Sequence, residues 1–321
     1  MDQSPRVTVA IPTWNRAYLV QRAIRSALAQ TFREFEVLVV DDGSSDGTPQ
    51  VVAEVGDPRL AYVRHEENGG ISRARNTALA RARGEWIAFL DDDNEWAPDY
   101  LERQLAFAAS RPGADMVYCR ARRHDTRARR HGLVPSTLCD GRVFRQLLTG
   151  WVPLMSSALL RRSVVIEVGG LDERLGATED RDLCMRLAQR TDFAGNRAVL
   201  VVRHEHLGRQ LSRNCEILAR DAAVMDEKWA LTVRASCGRL AYRRWRAELL
   251  TKAELCRAMR AAEAGQRGEG ARSAWRMARL FPWSAPRAAR AVAVTVLGLP
   301  TYRRLVAAAW ARPAFRGAIL R

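Results

Sequence analysis

Trp86-Ile-Ala-Phe-Leu-Asp91-Asp92-Asp93-Asn94-Glu95-Trp96 decides how this chain is read. A run of large apolar residues, preceded by Gly84, ends in three consecutive carboxylates. Such a run reads as a strand buried on both faces. Three acids at its carboxyl end repel one another unless a cation sits among them, and alternation along a strand predicts that Asp91 and Asp93 point the same way. Oxygen ligands of this kind suit Mg²⁺ or Mn²⁺. Open α/β sheets bind ligands just beyond the carboxyl ends of their strands, so the segment predicts a metal-assisted site for a phosphorylated ligand.

Upstream, strand and helix patterns alternate. Val7–Pro12 and Phe35–Val40 read as buried strands, Leu60–Val63 as a short one, and Ala17–Gln30 has helical spacing. Thr48-Pro49 is expected to cap and start a helix. Ser72–Arg83 and Pro98–Ala109 read as helices. This order implies an α/β fold with a largely parallel sheet and right-handed crossovers. Further on, strands are expected at Met116–Arg120, Ser156–Leu160 and Ala198–His204, and helices at Gly141–Leu148, Ser163–Val168 and Glu179–Arg190. From Ser212 the pattern is helical, with an expected flexible break at Gly265–Gly270.

Charge divides the chain. Residues 1–230 hold 33 Lys and Arg against 32 Asp and Glu, whereas residues 231–321 hold 19 against 4. The basic tail favours a polyanion, and its Arg residues alternate with Trp, Leu, Val and Ala as in segments that lie on an anionic membrane surface. The plainer reading is a solvated Arg-rich helix face. Nucleic acid is not expected, because no recognised binding motif accompanies the charge. The six cysteines form no C-x-x-C pair and suggest neither zinc nor disulfides. The opening Met-Asp-Gln-Ser-Pro-Arg shows no signal-peptide pattern, and Ala291–Pro300 is short of the ~20 residues of a spanning helix. The expectation is a cytoplasmic protein, peripheral at the inner membrane face if the tail docks there.

Four clusters fall where an open sheet places its site: Pro12-Thr13-Trp14-Asn15-Arg16, Asp41-Asp42-Gly43-Ser44, Asn68-Gly69-Gly70 with Arg73 and Arg75, and the acidic triplet. A carboxylate after the second strand can accept hydrogen bonds from a base or ribose, glycines allow close backbone approach, and Arg pairs with phosphate. Each alone has a duller explanation as a turn, a cap or a solvated helix residue. Their joint position at successive strand ends is the informative fact.

As a set, Val9-Ala-Ile-Pro-Thr-Trp-Asn-Arg16, Val39-Val-Asp-Asp-Gly-Ser-Ser-Asp-Gly-Thr48, Asn68-Gly-Gly-Ile-Ser-Arg-Ala-Arg-Asn76 and Gly84–Asp93 resemble the nucleotide-sugar-binding half of a family 2 glycosyltransferase of GT-A fold. The resemblance continues through Val168-Gly-Gly-Leu-Asp172 and Glu179-Asp180, and fades after about residue 215. It implies a catalytic domain over 1–230, with a nucleotide-sugar half (1–110) and an acceptor half (111–230), and a basic helical extension over 231–321. It also implies an inverting, metal-dependent transfer of a sugar from a nucleoside diphosphate to a hydroxyl acceptor in surface polysaccharide or glycolipid assembly. A small natural product is the alternative acceptor.

By that resemblance Pro12, Thr13, Asn15 and Asp42 contact the nucleoside, with Arg16 and Asp41 beside them. Arg75 helps hold the nucleotide and diphosphate. Asp91 and Asp93 are the outer acids of a D-x-D motif that meets ribose and Mn²⁺ or Mg²⁺, and Asp92 fills its variable middle. Asp180 is the general base, with Glu179 next to it; the plain alternative for this pair is an acidic helix start favoured by the dipole. In Arg203-His204-Glu205-His206, His206 ranks ahead of His204 as a further metal ligand. Trp151 is expected either to stack on a sugar or to be core.

Rival readings fare less well. No G-x-G-x-x-G follows a strand and no P-loop motif occurs, which disfavours a dehydrogenase and a P-loop kinase. A GT-A-like nucleotidyltransferase would carry a Gly-rich, Arg-containing loop where Pro-Thr-Trp-Asn-Arg stands. A non-catalytic nucleotide- or polyanion-binding module would not need Asp91, Asp93 and Asp180 together.

Overall fold

The computed structural model describes residues 4–125, 130–205, 214–280 and 285–297. They divide into two compact units, Met1–Gly208 and Arg209–Arg321.

The first unit is built on a nine-stranded sheet. Its parallel part comes from β1 (Val7–Thr13), β2 (Phe35–Asp41), β3 (Leu60–Arg64) and β4 (Trp86–Phe89), in the spatial order β3-β2-β1-β4. Every residue of β1, β2 and β4 is buried, as continuous apolar runs between two helical layers require. The crossovers are α1 (Ala17–Leu28), α2 (Thr48–Ala53) and α3 (Ile71–Arg81). α1 buries Leu19, Val20, Ala23, Ile24 and Ala27, the stripe its spacing implied. Thr48 does not cap α2: it is the first helical residue, and Asp46 accepts its backbone N–H at 3.0 Å.

Beyond β4 the chain pairs differently. It continues through β5 (Asn94–Trp96), α4 (Tyr100–Ala109), β6 (Ala114–Asp125), β7 (Arg130–Val134), α5 (Phe144–Leu147), β8 (Ala158–Arg161), α6 (Arg162–Glu167), α7 (Glu179–Leu187) and β9 (Asp192–Glu205). β8 runs antiparallel to both β4 and β6, β5 antiparallel to β9, and β6 parallel to β9. The largely parallel sheet expected from the βα alternation is thus its first half; the second half is mixed. β5 and β7 were not legible: one is three residues carrying Asn94 and Glu95, the other lies in an Arg-rich stretch. The helix expected over Gly141–Leu148 is the single turn of α5, and the strand expected from Ser156 starts only after a tight turn at Met155–Ser157.

The parallel register sets the site. Thr13 lies opposite Asp41, Asp41 opposite Arg64, and the Leu90 N–H bonds to the Ala10 carbonyl. The motif-bearing loops therefore leave one rim. The opposite end is closed by a backbone approach at Gly84, where a Cβ would lie 2.5 Å from the Thr8 nitrogen and 2.7 Å from the Val7 carbonyl carbon.

The second unit comprises α8 (Cys215–Glu263), α9 (Arg267–Ala278) and α10 (Ala285–Leu297). α8 is interrupted at Gly238, with φ 85° and ψ 167°. There it folds back, for Asp226 bonds Tyr242 and Arg246 at 2.8 Å each and the Cys215 sulfur meets Arg260 at 3.2 Å. The boundary expected at residue 230 falls inside α8. The break expected over Gly265–Gly270 shrinks to Ala264–Gln266; Gly270 is buried in α9, where a Cβ would meet Thr295 Oγ1 at 2.5 Å. Among the described residues, no helix is long and apolar enough to cross a membrane.

Gly84→Ala should destabilise the first unit, since the obstructing atoms are strand backbone. Overpacking of this kind costs about 1–3 kcal/mol. Thermal unfolding should show a midpoint lowered by several degrees; an unchanged midpoint would contradict the packing described.

Candidate active site

Two loops form one side of the rim. Asn15 has φ 51°, the left-handed region that Asn tolerates better than most residues. Its N–H donates to Ser44 Oγ at 2.8 Å, and its side-chain oxygen accepts the Ser45 N–H at 2.7 Å. Asp41 is fully buried, with one oxygen accepting the Ser44 N–H and the other the Tyr62 hydroxyl. Pro12 stays within β1, paired with Val40, and Trp14 projects, 38% exposed.

Asp42 is nearly as buried, and its carboxylate faces the Asn68-Gly69-Gly70 loop. It accepts from Asn68 Nδ2 at 2.9 Å, from the Gly69 N–H at 3.0 and 3.1 Å and from the Gly70 N–H at 2.7 Å, and lies 2.7 Å from His65 Nδ1. A carboxylate has about four acceptor sites, and these four groups use them. As placed, Asp42 holds the glycine loop rather than an open nucleoside position. A Cβ at Gly69 would lie 2.2 Å from Arg73 Cδ, so the Arg73 side chain packs closely over this glycine.

The acidic triplet does not continue the strand. The Asn94 N–H bonds back to the Asp91 carbonyl at 3.0 Å, making a turn between β4 and β5. Strand alternation therefore does not govern these side chains, and the three part company. Asp92 turns inward, accepting from Thr13 Oγ1 at 2.8 Å and Arg16 Nη1 at 2.7 Å. Burial pushes its carboxyl up to about 7, with the Asp93 charge reinforcing the shift while Arg16 and Thr13 oppose it. Asp93 stays partly exposed, its carboxylate 3.4 Å from the same guanidinium nitrogen. Asp91 accepts from Arg75 Nη2 at 2.7 Å through Oδ1, and from Ser156 Oγ at 2.9 Å and Asn94 Nδ2 at 3.3 Å through Oδ2. Cationic and hydroxyl side chains thus relieve the mutual repulsion that a metal alone was expected to relieve.

Arg75 is 2% exposed and spans the two halves of the unit, donating from its other nitrogen to Glu179 Oε1 at 2.8 Å. Burial pushes the Glu179 carboxyl up to about 7, the Asp180 charge adding to the shift and Arg75 opposing it. The second Glu179 oxygen is buried without a hydrogen-bond partner. Asp180, half-buried at the start of α7, accepts the Arg181 N–H at 2.6 Å. Arg181 in turn fixes α7 to the Leu147 carbonyl at 3.0 and 2.7 Å.

Ser156 was missed by the sequence. Its hydroxyl meets Asp91 N, Asp91 Oδ2 and Asn94 Nδ2, and its carbonyl accepts the Trp96 indole N–H at 2.7 Å. The only hint was its place at the start of an expected strand. Asn76 and Ser72 hold the 168–176 turn to α3, through Leu171 and Leu175. Trp151 donates its indole N–H to the Thr137 carbonyl at 2.9 Å and packs edge-on against Tyr118. His204 Nε2 lies 3.2 Å from Glu95. His206 lies outside the described residues.

Among the described residues, no three His, Cys, Asp or Glu side chains gather closely enough to hold a metal by themselves. The donors at the rim are carboxylate oxygens, with Asp91 and Asp93 both partly open. That set fits a hard divalent cation that takes its remaining ligands from water and phosphate.

A mixed sheet with a parallel half, acids on its rim and helices on its faces is the GT-A glycosyltransferase architecture. It matches Staphylococcus aureus TarS 1-349 in complex with UDP-GlcNAc with a TM-score of 0.64, at 19% identity over 90% of each chain. It also matches the mannosyltransferase PcManGT of Pyrobaculum calidifontis, in complex with GDP-Man and Mn²⁺, with a TM-score of 0.57, at 23% identity over 98% of this chain and 83% of that one. The chain belongs to glycosyl transferase family 2, whose pattern matches residues 8–169. Escherichia coli WcaA, a putative colanic acid biosynthesis glycosyl transferase, is 40% identical over 108 residues, which are 33% of this chain and 39% of that one. The aligned region spans between 30% and 43% of the length of the first three curated relatives.

Glu179 gives a pH test. Its folded pKa, about 7, lies above the ordinary 4.5, so the folded chain keeps a proton that the unfolded chain releases between these values. Its contribution to stability is whole below about 4.5 and is lost as pH rises through about 7. Glu179→Gln cannot titrate, so its melting temperature should fall less between pH 5 and pH 8 than that of the unchanged chain. Equal falls would remove the assigned shift.

Proposed function

We propose that this chain transfers a sugar from a nucleoside diphosphate sugar to a hydroxyl acceptor, with inversion at the anomeric carbon. The observation that carries this is the Arg75 bridge, which sets a D-x-D rim and an acidic helix start within reach of one guanidinium.

In this reading the loops around Pro12–Arg16 and Asp41–Ser44 cradle the nucleoside. Arg75 acts chiefly by holding Asp91 and Glu179. Asp93 together with Asp91, both partly open, would hold Mn²⁺ or Mg²⁺, which would neutralise charge on the departing diphosphate. Asp180 takes the acceptor hydroxyl's proton as the new bond forms, and the hydroxyl attacks opposite the nucleotide. Glu179, its carboxyl raised and one oxygen unpartnered, offers a hydrogen bond to a sugar hydroxyl beside it. The donors bound by the solved neighbours, UDP-GlcNAc and GDP-Man, support the donor class. The putative role of WcaA in colanic acid biosynthesis supports surface polysaccharide assembly as the setting. A glycolipid acceptor at the cytoplasmic membrane face accords with the excess of Lys and Arg over residues 231–321.

Asp180→Asn should lower transfer by about a hundred- to ten-thousandfold, the range a general base contributes. Donor binding, followed by calorimetry with Mn²⁺, should remain within a few-fold of the unchanged chain. Normal turnover in this variant would remove the assigned base. Chelation by EDTA should abolish transfer, and added Mn²⁺ should restore it; full activity in EDTA would remove the metal from the account.

A further inference from the structure

Beside the acidic rim lies a second concavity, of about 430 Å³, which no step of the transfer uses. That volume falls within the roughly 300–1,000 Å³ typical of ligand sites. One wall is the outer face of α1, where Tyr18, Gln21, Arg22 and Arg25 recur at helical spacing; the other carries Glu95 and Trp96.

The chemistry of the walls is specific. Tyr18 is 70% exposed, an aromatic face open to solvent. Arg25 is exposed, and its guanidinium has no ion-pair partner among the described residues. Arg22 is fixed in place by donating to the Asp93 carbonyl at 2.9 Å, while its Nε is buried and without a hydrogen-bond partner. Glu95 is the only acid on the walls, and it is engaged by His204. Two guanidiniums against one carboxylate leave the groove cationic, with Tyr18 as a stacking surface and Gln21 as a neutral hydrogen-bonding group.

We infer that this groove binds an anionic saccharide, gripping a carboxylate or phosphate through Arg22 and Arg25 while a sugar ring lies on Tyr18. Arg pairs with either oxyanion in the same forked geometry. The saccharide part rests on the glycosyltransferase reading; the anion part rests on the groove alone. Because Arg22 also grips the Asp93 backbone, the bound glycan would sit one side chain away from the rim. The acceptor or product is accordingly a charged glycan held outside the reaction centre.

Calorimetry on the full chain tests this with three probes: a tetrasaccharide of alternating glucuronate and N-acetylglucosamine, glucose 1-phosphate, and a neutral glucose tetrasaccharide. One of the two anionic probes should bind at least about tenfold more tightly than the neutral one, and Arg25→Gln should weaken it by about tenfold. Which anion wins tells carboxylate from phosphate. Tyr18→Ala should weaken the tetrasaccharide, and raised salt should weaken whichever anion binds. Both substitutions lie on an exposed helix face, so melting temperature and donor hydrolysis should be unchanged. Equal affinity for neutral and anionic probes, binding of none of them, or undiminished binding in Arg25→Gln would overturn the proposal. Absence of donor hydrolysis in the unchanged chain would instead sink the transferase reading and leave the groove result standing.

Discussion

The Asp91 carboxylate is the joint on which the first unit's site depends. One oxygen is held by Arg75, which continues to Glu179; the other is held by Ser156, in the turn before β8. Both partners lead from the parallel half of the sheet into the mixed half. A buried guanidinium between two carboxylates is stable only while both remain, because removing either leaves charge without its counterpart in a poorly solvated place. The constraint explains why residues of the parallel and mixed halves keep a fixed relation in a sheet whose pairing changes direction between them.

Much of the parallel half was legible because its strands are encoded locally. The apolar runs of β1, β2 and β4 and the turn residues after them answer to constraints that act within a few residues, whereas Gly43 and Gly84 meet backbone distant in sequence. Gly43, at φ 77°, would bring a Cβ within 2.8 Å of the Glu67 backbone, so the motif records a packing need. The antiparallel half was less legible because its elements are short and amphipathic. Nothing within β5 announces that Asn94-Glu95-Trp96 pairs with Val201–Arg203. Ser156 was hidden for the same reason: its importance comes from a partner 65 residues away.

The acidic triplet shows how the folded chain can depart from the geometry its sequence suggests. Alternation along a strand placed Asp91 and Asp93 together, whereas a turn separates them and directs each to a different partner. Asp92, the variable position, is the most buried of the three and binds the loop after β1. The middle residue therefore ties the loop after β1 to the turn between β4 and β5. Arg16 reaches both Asp92 and Asp93, so the positive charge expected there is supplied in part by the protein itself.

The most direct test is a crystal structure with a nucleoside diphosphate sugar and Mn²⁺. The account predicts the cation on Asp93, the diphosphate along the rim and the sugar facing Asp180, with Arg75 still bridging Asp91 and Glu179. A donor bound away from the rim, or Arg75 released from both acids to grip the phosphates, would contradict it.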